Sequence, residues 1–248
     1  MTPTYDRIGR TYAMTRREDP RIRVFLREAL GDALSVVNVG AGAGAYEPND
    51  LEVVAVEPSE IMIAQRPSAS APVICASAEK LPLEDGSFDA AMALTTVHHW
   101  SDLGAGLREL RRVARKRVLV FLRDARQGTP FWLTRDYLPA LDTSRRNNEV
   151  VPMIREVFPE IRELDFHLPC DCADGLFTAY WARPEKYLDA GVRKNMSNFA
   201  LAKEEDVVVG LVALRSALGS GAWDHAHGHL RTVARLDLGH RLFIADLR

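Results

Sequence analysis

The sequence predicts an α/β fold: a seven-stranded, mostly parallel sheet with helices on both faces and a helical cap inserted late in the chain. Three observations carry that expectation. Short, near-continuous apolar runs recur through the first half, separated by segments of helical period, as strands buried on both faces do. One run ends directly in a glycine-rich turn, as a strand feeding a helix does in an open α/β sheet. The length, 248 residues, corresponds to roughly 1.7 domains at about 150 residues each, so one domain with an elaboration is expected.

In chain order, residues 1–31 read as a helical lead-in. Ile22, Phe25, Leu26, Ala29 and Leu30 share one face, and Gly31 is a stop signal. Strands are expected at Ser35–Val39, 51–56, 72–76, Phe88–Leu94 and 117–122. Helices are expected at 60–65 and 103–116, the latter with Leu103, Leu107, Leu110 and Val113 or Ala114 as one stripe. Asp85-Gly86 marks a turn into the fourth strand, which gives Asp89 a structural place. Beyond 124, residues 130–158 predict one or two helices interrupted near 142–148. Residues 161–168 predict a sixth strand, 173–222 a helical stretch, and 236–247 a final strand. The expected organisation is a single domain: lid 1–31, core 32–124, cap 125–235, final strand 236–248.

Composition narrows the function classes. A hydrophobic fraction of 47% with 27% charged residues belongs to a folded globule rather than a disordered chain. Thirty-two Lys+Arg against 34 Asp+Glu argue against a nucleic-acid or anionic-membrane partner, which would demand excess basic charge. The Arg-rich stretch 108–117 sits at a helix C-terminus opposite an apolar stripe and reads as a solvated face. Three cysteines (Cys75, Cys170, Cys172) suit a reducing cytoplasm. No apolar run approaches a membrane span.

Three blocks carry chemistry. The first, VVNVGAGAG at 36–44, runs a strand into a turn whose glycines let a ligand approach the backbone; its spacing also fits a dinucleotide loop. The second, VAVEPS at 54–59, places Glu57 at the end of the second strand, where an acid can accept both hydroxyls of a ribose. The third is ASAEKLPLEDGSFDAAMALTTVHHW at 76–100. Together and in this order the blocks resemble the class I S-adenosylmethionine-dependent methyltransferases of small-molecule type. That resemblance implies a Rossmann-like fold, S-adenosyl-L-methionine as cofactor, and a small-molecule acceptor.

The resemblance also implies residue roles. Gly40, Ala41 and Gly42 pack against the cofactor's methionine portion. Glu57 holds the ribose, Pro58 and Met62 flank the adenine, and Ser77, Ala78 and Glu79 meet the adenine edge. Thr95 begins the segment lining the sulfonium side. Tyr5, Tyr12 and Arg16 fall where similar enzymes close a helix over the cofactor. Asn38 stands where similar enzymes usually carry an acid linked to the cofactor's ammonium, and Ser77 where they often carry Asp. Either change lowers cofactor affinity while leaving the backbone cradle.

Methyl transfer from a sulfonium is an in-line displacement accelerated chiefly by positioning, with a base needed only where the acceptor must lose a proton. His98, His99 and Asp124 follow strands four and five and are the candidate catalytic groups. Tyr5 in the lead-in, and Asp171, Asp174, Tyr180 and Trp181 beside the methyl donor, are candidate substrate residues. His167, Cys170 and Cys172 offer only three ligands in an unusual spacing, and His225, His227 and His229 read as a surface loop, so no metal is expected. A cofactor-binding protein with non-methyl chemistry, or a non-catalytic partner, is the alternative function. A monomer or homodimer is expected.

Overall fold

The structure, a computed structural model, describes residues 17–142, 148–194 and 196–247. Five strands follow the apolar runs of the first half: β1 (Ser35–Val39), β2 (Glu52–Val56), β3 (Val73–Ile74), β4 (Phe88–Leu94) and β5 (Ala114–Arg123). Later segments add β6 (Arg162–Asp165), β7 (Leu168–Pro169), β8 (Arg235–Leu236) and β9 (His240–Asp246). Seven of these form one sheet in the order β3-β2-β1-β4-β5-β9-β6. The pairs among β1 to β5 are parallel, and β9 runs antiparallel to both its neighbours. The chain moves outward from β1 to β2 and β3, then returns to β4 on the other side. A topological switch point therefore lies between β1 and β4, where open α/β sheets bind ligands.

Period-two alternation divides each strand between two cores. Val36, Ala90, Met92, Leu119 and Phe121 face one way; Val37, Ala91, Ala93, Val118 and Val120 face the other. The first face is covered by α1 (Pro20–Leu30), whose Ile22, Leu26 and Leu30 are buried. Asp19 caps it by accepting from Arg21 N, and Gly31, at φ 60°, ends it. The second face carries α3 (Leu103–Val113) and α4 (Val150–Val157), through Leu107, Leu110, Val113, Val151 and Ile154. The short α2 (Glu60–Ile63) follows β2 and is capped by Ser59.

The helix expected over 103–116 stops at Val113, because Ala114 already pairs with Phe88 in the sheet. The single strands expected over 161–168 and 236–247 are each broken in two, with β7 and β8 pairing as a separate ribbon. The break sits at Gly239, at φ 83°. A Cβ there would lie 2.1 Å from Asp124 O, so the strand can turn this corner only at a glycine.

The cap is less helical than its apolar pattern suggests. Residues 173–176 are irregular and 177–182 are turns, whose Phe177 and Tyr180 pack on Phe131, Phe199 and Tyr187. Helices follow as α5 (Ala190–Arg193), α6 (Ser197–Leu201), α7 (Glu204–Ser220) and α8 (Ala222–His227). The expected surface loop of histidines is largely α8: His227 is buried and its Nε2 lies 2.9 Å from Asp136. Trp132, Trp223 and Tyr187 pack edge to face at 5.3–5.8 Å. They belong to the same apolar cluster as α1 and the sheet, so the cap shares the core.

Most of the Arg-rich face is tied down in ion pairs and carbonyl contacts. Arg112 binds Glu109 and Asp85, Arg115 binds Asp89, and Arg117 binds Asp246. Asp89 also accepts from Leu34 N, which is the structural place its turn predicts.

Candidate active site

A cavity of about 490 Å³ opens at the carboxyl ends of β1, β2 and β4, the switch point of the sheet. Its floor is the glycine turn. Gly40 and Ala41 N–H both donate to Val56 O, at 2.8 and 3.1 Å, which folds the turn back over β2. Gly40 adopts φ 72°, and a Cβ there would lie 2.1 Å from Thr96 Oγ1. Only glycine meets both constraints. Glu57 Oε2 accepts from Gly42 N at 2.8 Å, and its Oε1 accepts from Ser59 N at 2.9 Å. Two backbone N–H groups thus hold the carboxylate in place. Gly44 has a different task. A Cβ on it would come within 3.2 Å of Arg66 Nη1, so this glycine makes room for the arginine.

Behind the turn, buried Asn38 donates through Nδ2 to Glu47 Oε1 at 3.2 Å. Its own Oδ1 is buried with no donor. Tyr46, at φ 65°, sends its hydroxyl to Asp174 Oδ2 at 2.8 Å and accepts there from Asp19 N. Glu18 accepts from Tyr46 N and Arg23. The start of α1, the glycine turn and the cap are stitched together over one side of the cavity.

The opposite wall follows β4. Thr95 sits at φ 54°, an unusual conformation for a β-branched residue and a mark of local strain; its N–H donates to Phe121 O at 2.6 Å. Thr96, His99 and Trp100 continue the wall, with Phe121, Leu94 and Leu176 behind them. Burial of the His99 imidazole pushes its pKa down to about 4, so it is an unprotonated acceptor at neutral pH. Glu79 accepts from the Ser101 N–H and hydroxyl and from Asp102 N. Burial works to raise its pKa, but these hydrogen bonds bring it below the usual value.

The structure brings together Asn38, Gly40, Ala41, Gly42, Glu57, Pro58, Met62, Ser77, Ala78, Glu79, Thr95, His99 and Asp174 around this cavity. Others stand apart. His98 and Asp124 line a separate, much smaller space with Arg123 and Val150; the His98 ring lies against that of His99, centroids 4.0 Å apart, with His99 on the side of the main cavity. Asp124 is engaged by Arg126 and Gln127. Asp171 is an exposed partner of Arg21. Tyr180 packs on Tyr187 and Arg183, and Trp181 is fully buried with Nε1 donating to Pro169 O. Tyr5, Tyr12 and Arg16 lie outside the described residues. Cys172 is buried, its thiol pushed up to about 12 by that burial, an inert state.

Sequence reasoning missed Glu18, Tyr46, Thr96, Trp100 and Phe121. Tyr46 follows the first block closely, and Thr96 and Trp100 lie within the third. Glu18 and Phe121 carry no such signal, since the fold alone brings α1 and β5 to the cavity.

Fold and site together define an α/β protein with a cavity across the switch point, floored by a glycine turn and bordered by an acid at the end of β2. Residues 37–122 match the methyltransferase domain family. A candidate methyltransferase from an antibiotic biosynthesis pathway of Anabaena variabilis is 31% identical, with a TM-score of 0.87 over 94% of this chain and 99% of that one. The [4+2]-cyclase SpnF shares the fold at 16% identity and a TM-score of 0.53, over 98% of this chain and 94% of that one. The protein YafE of Escherichia coli is 47% identical over 36 residues, which span 14% of this chain and only 17% of that relative's length. The chain belongs to the class I S-adenosylmethionine-dependent methyltransferases. It is an enzyme of that family, with S-adenosylmethionine as its cofactor.

Proposed function

We propose that the protein transfers a methyl group from S-adenosylmethionine to a small-molecule acceptor held beneath the cap. The observation that carries this reading is a single cavity joining the glycine turn and Glu57 to a chamber walled by Leu94, Trp100, Phe121 and Leu176. Its volume suits small ligands. Among the described residues lining it there is no Lys or Arg, which favours a small acceptor over nucleic acid.

The residues present fit the cofactor on three counts. A Cβ-free turn leaves backbone open to it, the Glu57 carboxylate lines the cavity at the end of β2, and Asn38 Oδ1 offers a buried acceptor with no donor. When bound, the cofactor supplies a methyl group already activated on a sulfonium. The chain's own task is positioning. Glu57 would hold the ribose, and Met62 and Ala78 the adenine faces. Trp100, Phe121 and Leu176 would exclude water and orient the acceptor. His99, unprotonated, would accept a hydrogen bond from an acceptor O–H or N–H. Its lowered pKa makes it a weak base, so orientation is its stronger contribution.

Incubation with S-adenosylmethionine and a panel of small acceptors should give a product heavier by one methylene and one equivalent of S-adenosylhomocysteine. No binding of S-adenosylhomocysteine at millimolar concentration would sink this reading. Because a [4+2]-cyclase shares the fold, product mass is the decisive measurement: a transformed acceptor without added mass would select the alternative chemistry. A cytoplasmic location fits the three free cysteines, and among the described residues no single helix is long and apolar enough to cross a membrane.

A further inference from the structure

We propose that Glu47 is a positioning residue for the cofactor's amino group: it turns the Asn38 amide so that the carbonyl oxygen, and not the NH2, faces the cavity. The inference rests on the function proposed above. Asn38 is 1% exposed and lines the cavity. Its Nδ2 donates to Glu47 Oε1 at 3.2 Å. Both Glu47 oxygens accept from Arg66 Nη2, at 2.9 and 2.8 Å, so the group that meets Asn38 is an acceptor. The amide must present its NH2 to that acceptor, and the oxygen is left facing the other way. That oxygen is buried without a donor, an arrangement folded proteins rarely leave unless a ligand completes it.

The cofactor's donor at this point follows from the strand order. Glu57 at the end of β2 marks the ribose side. Asn38 sits one strand over, between Ala55 of β2 and Met92 of β4. The amino-acid end of a bound cofactor would extend that way, with its ammonium as the donor. The negative charge stands one side chain further back than a carboxylate on β1 would put it, on Glu47. Arg66 pins it there, bridging to Ala71 O and Gly42 O through the space Gly44 leaves free. Asn38 would thus meet the ammonium as an oriented dipole, and the orientation depends on Glu47.

The test compares two ligands by calorimetric titration of the full chain: S-adenosylhomocysteine, and methylthioadenosine, which lacks the amino-acid end. Glu47→Gln frees the Asn38 amide to flip. It should weaken S-adenosylhomocysteine about tenfold to a hundredfold, as loss of a hydrogen bond to a charged group does, and leave methylthioadenosine unchanged. The double variant N38D/E47Q, with a carboxylate that cannot be misoriented, should recover the loss. Should Glu47→Gln fail to fold, Glu47→Asp draws the carboxylate away from Asn38 and should show the same selective loss. Equal weakening of both ligands would make Glu47 merely structural, and unchanged S-adenosylhomocysteine affinity would remove the role altogether; either overturns the proposal. A wild-type chain that binds neither ligand would instead overturn the function on which it rests.

Discussion

Replacing Gly40 with alanine tests the reading of the glycine turn at its tightest point. Two costs add. A side chain at φ 72° pays about 1–2 kcal/mol for the left-handed conformation. The new Cβ would also lie 2.1 Å from Thr96 Oγ1 and 2.8 Å from Thr96 Cβ and Cγ2. Rotating the threonine relieves the first overlap but not that with its Cβ, so backbone must move, at about 1–3 kcal/mol for overpacking. The expected loss is roughly 3 kcal/mol by urea unfolding. At about 2–4 °C per kcal/mol for a chain of this length, the melting temperature should fall by roughly 6–12 °C. Thr96→Gly in the same background removes the obstructing Cβ and should restore the overpacking share, leaving the conformational share. Stability within about 0.5 kcal/mol of wild type, or no rescue by Thr96→Gly, would refute the geometric argument.

Other expectations follow from the same geometry. Glu57→Ala leaves Gly42 and Ser59 N–H without their acceptor and removes the proposed ribose contact; calorimetry should show S-adenosylhomocysteine binding weakened about tenfold or more, and an unchanged affinity would count against the contact. His99→Gln should lower the methyl-transfer rate more than His98→Gln, since only His99 lines the main cavity and His98 reaches it through ring contact with His99; equal effects would contradict that difference. His99 is held down at about 4, from an ordinary 6.5, by burial. The unfolded chain therefore takes up that proton first, so the stability present above pH 6.5 is lost as pH falls toward 4. Urea midpoints should drop less steeply over this range in His99→Gln, and parallel slopes would remove His99 as the cause. Gly210→Ala on α7 sets a Cβ 2.2 Å from Leu138 Cδ2 and 2.4 Å from Tyr137 O. It should cost about 1–3 kcal/mol, and a neutral result by thermal unfolding would mean that α7 sits less tightly on the cap.

The cofactor half of this protein is legible in sequence because its signals are local. A strand must end where glycines let the chain turn, so VVNVGAGAG announces both β1 and the floor of the cavity. Val53 to Glu57 shows a strand and its terminal acid within five residues of chain, and the structure puts that acid beside Gly42. Asn38 stands out even without a partner in view, as a polar residue inside an apolar strand. The catalytic side is less legible. His98 and His99 are adjacent in sequence, yet they line different cavities. Nothing in the sequence tells which of two touching rings, 4.0 Å apart, borders the main cavity.

Topology decided the rest. Phe121 lies on β5 and Ile22 on α1, yet both line one cavity, because parallel crossovers bring strand ends together whatever their separation along the chain. Tyr46 meets Asp174 across 128 residues. The final strand breaks at Gly239 because that corner packs against Asp124 O, a constraint felt only once β5 and β9 are paired. Periodicity and turn chemistry act within a few residues, so the sequence by itself determined the strands, the glycine cradle and the acid at the end of β2. Which side chains share a cavity depends on contacts between distant segments. Only the tertiary structure could put His99 rather than His98 on the main cavity, bring Tyr46 to Asp174, and turn the amide of Asn38 against Glu47.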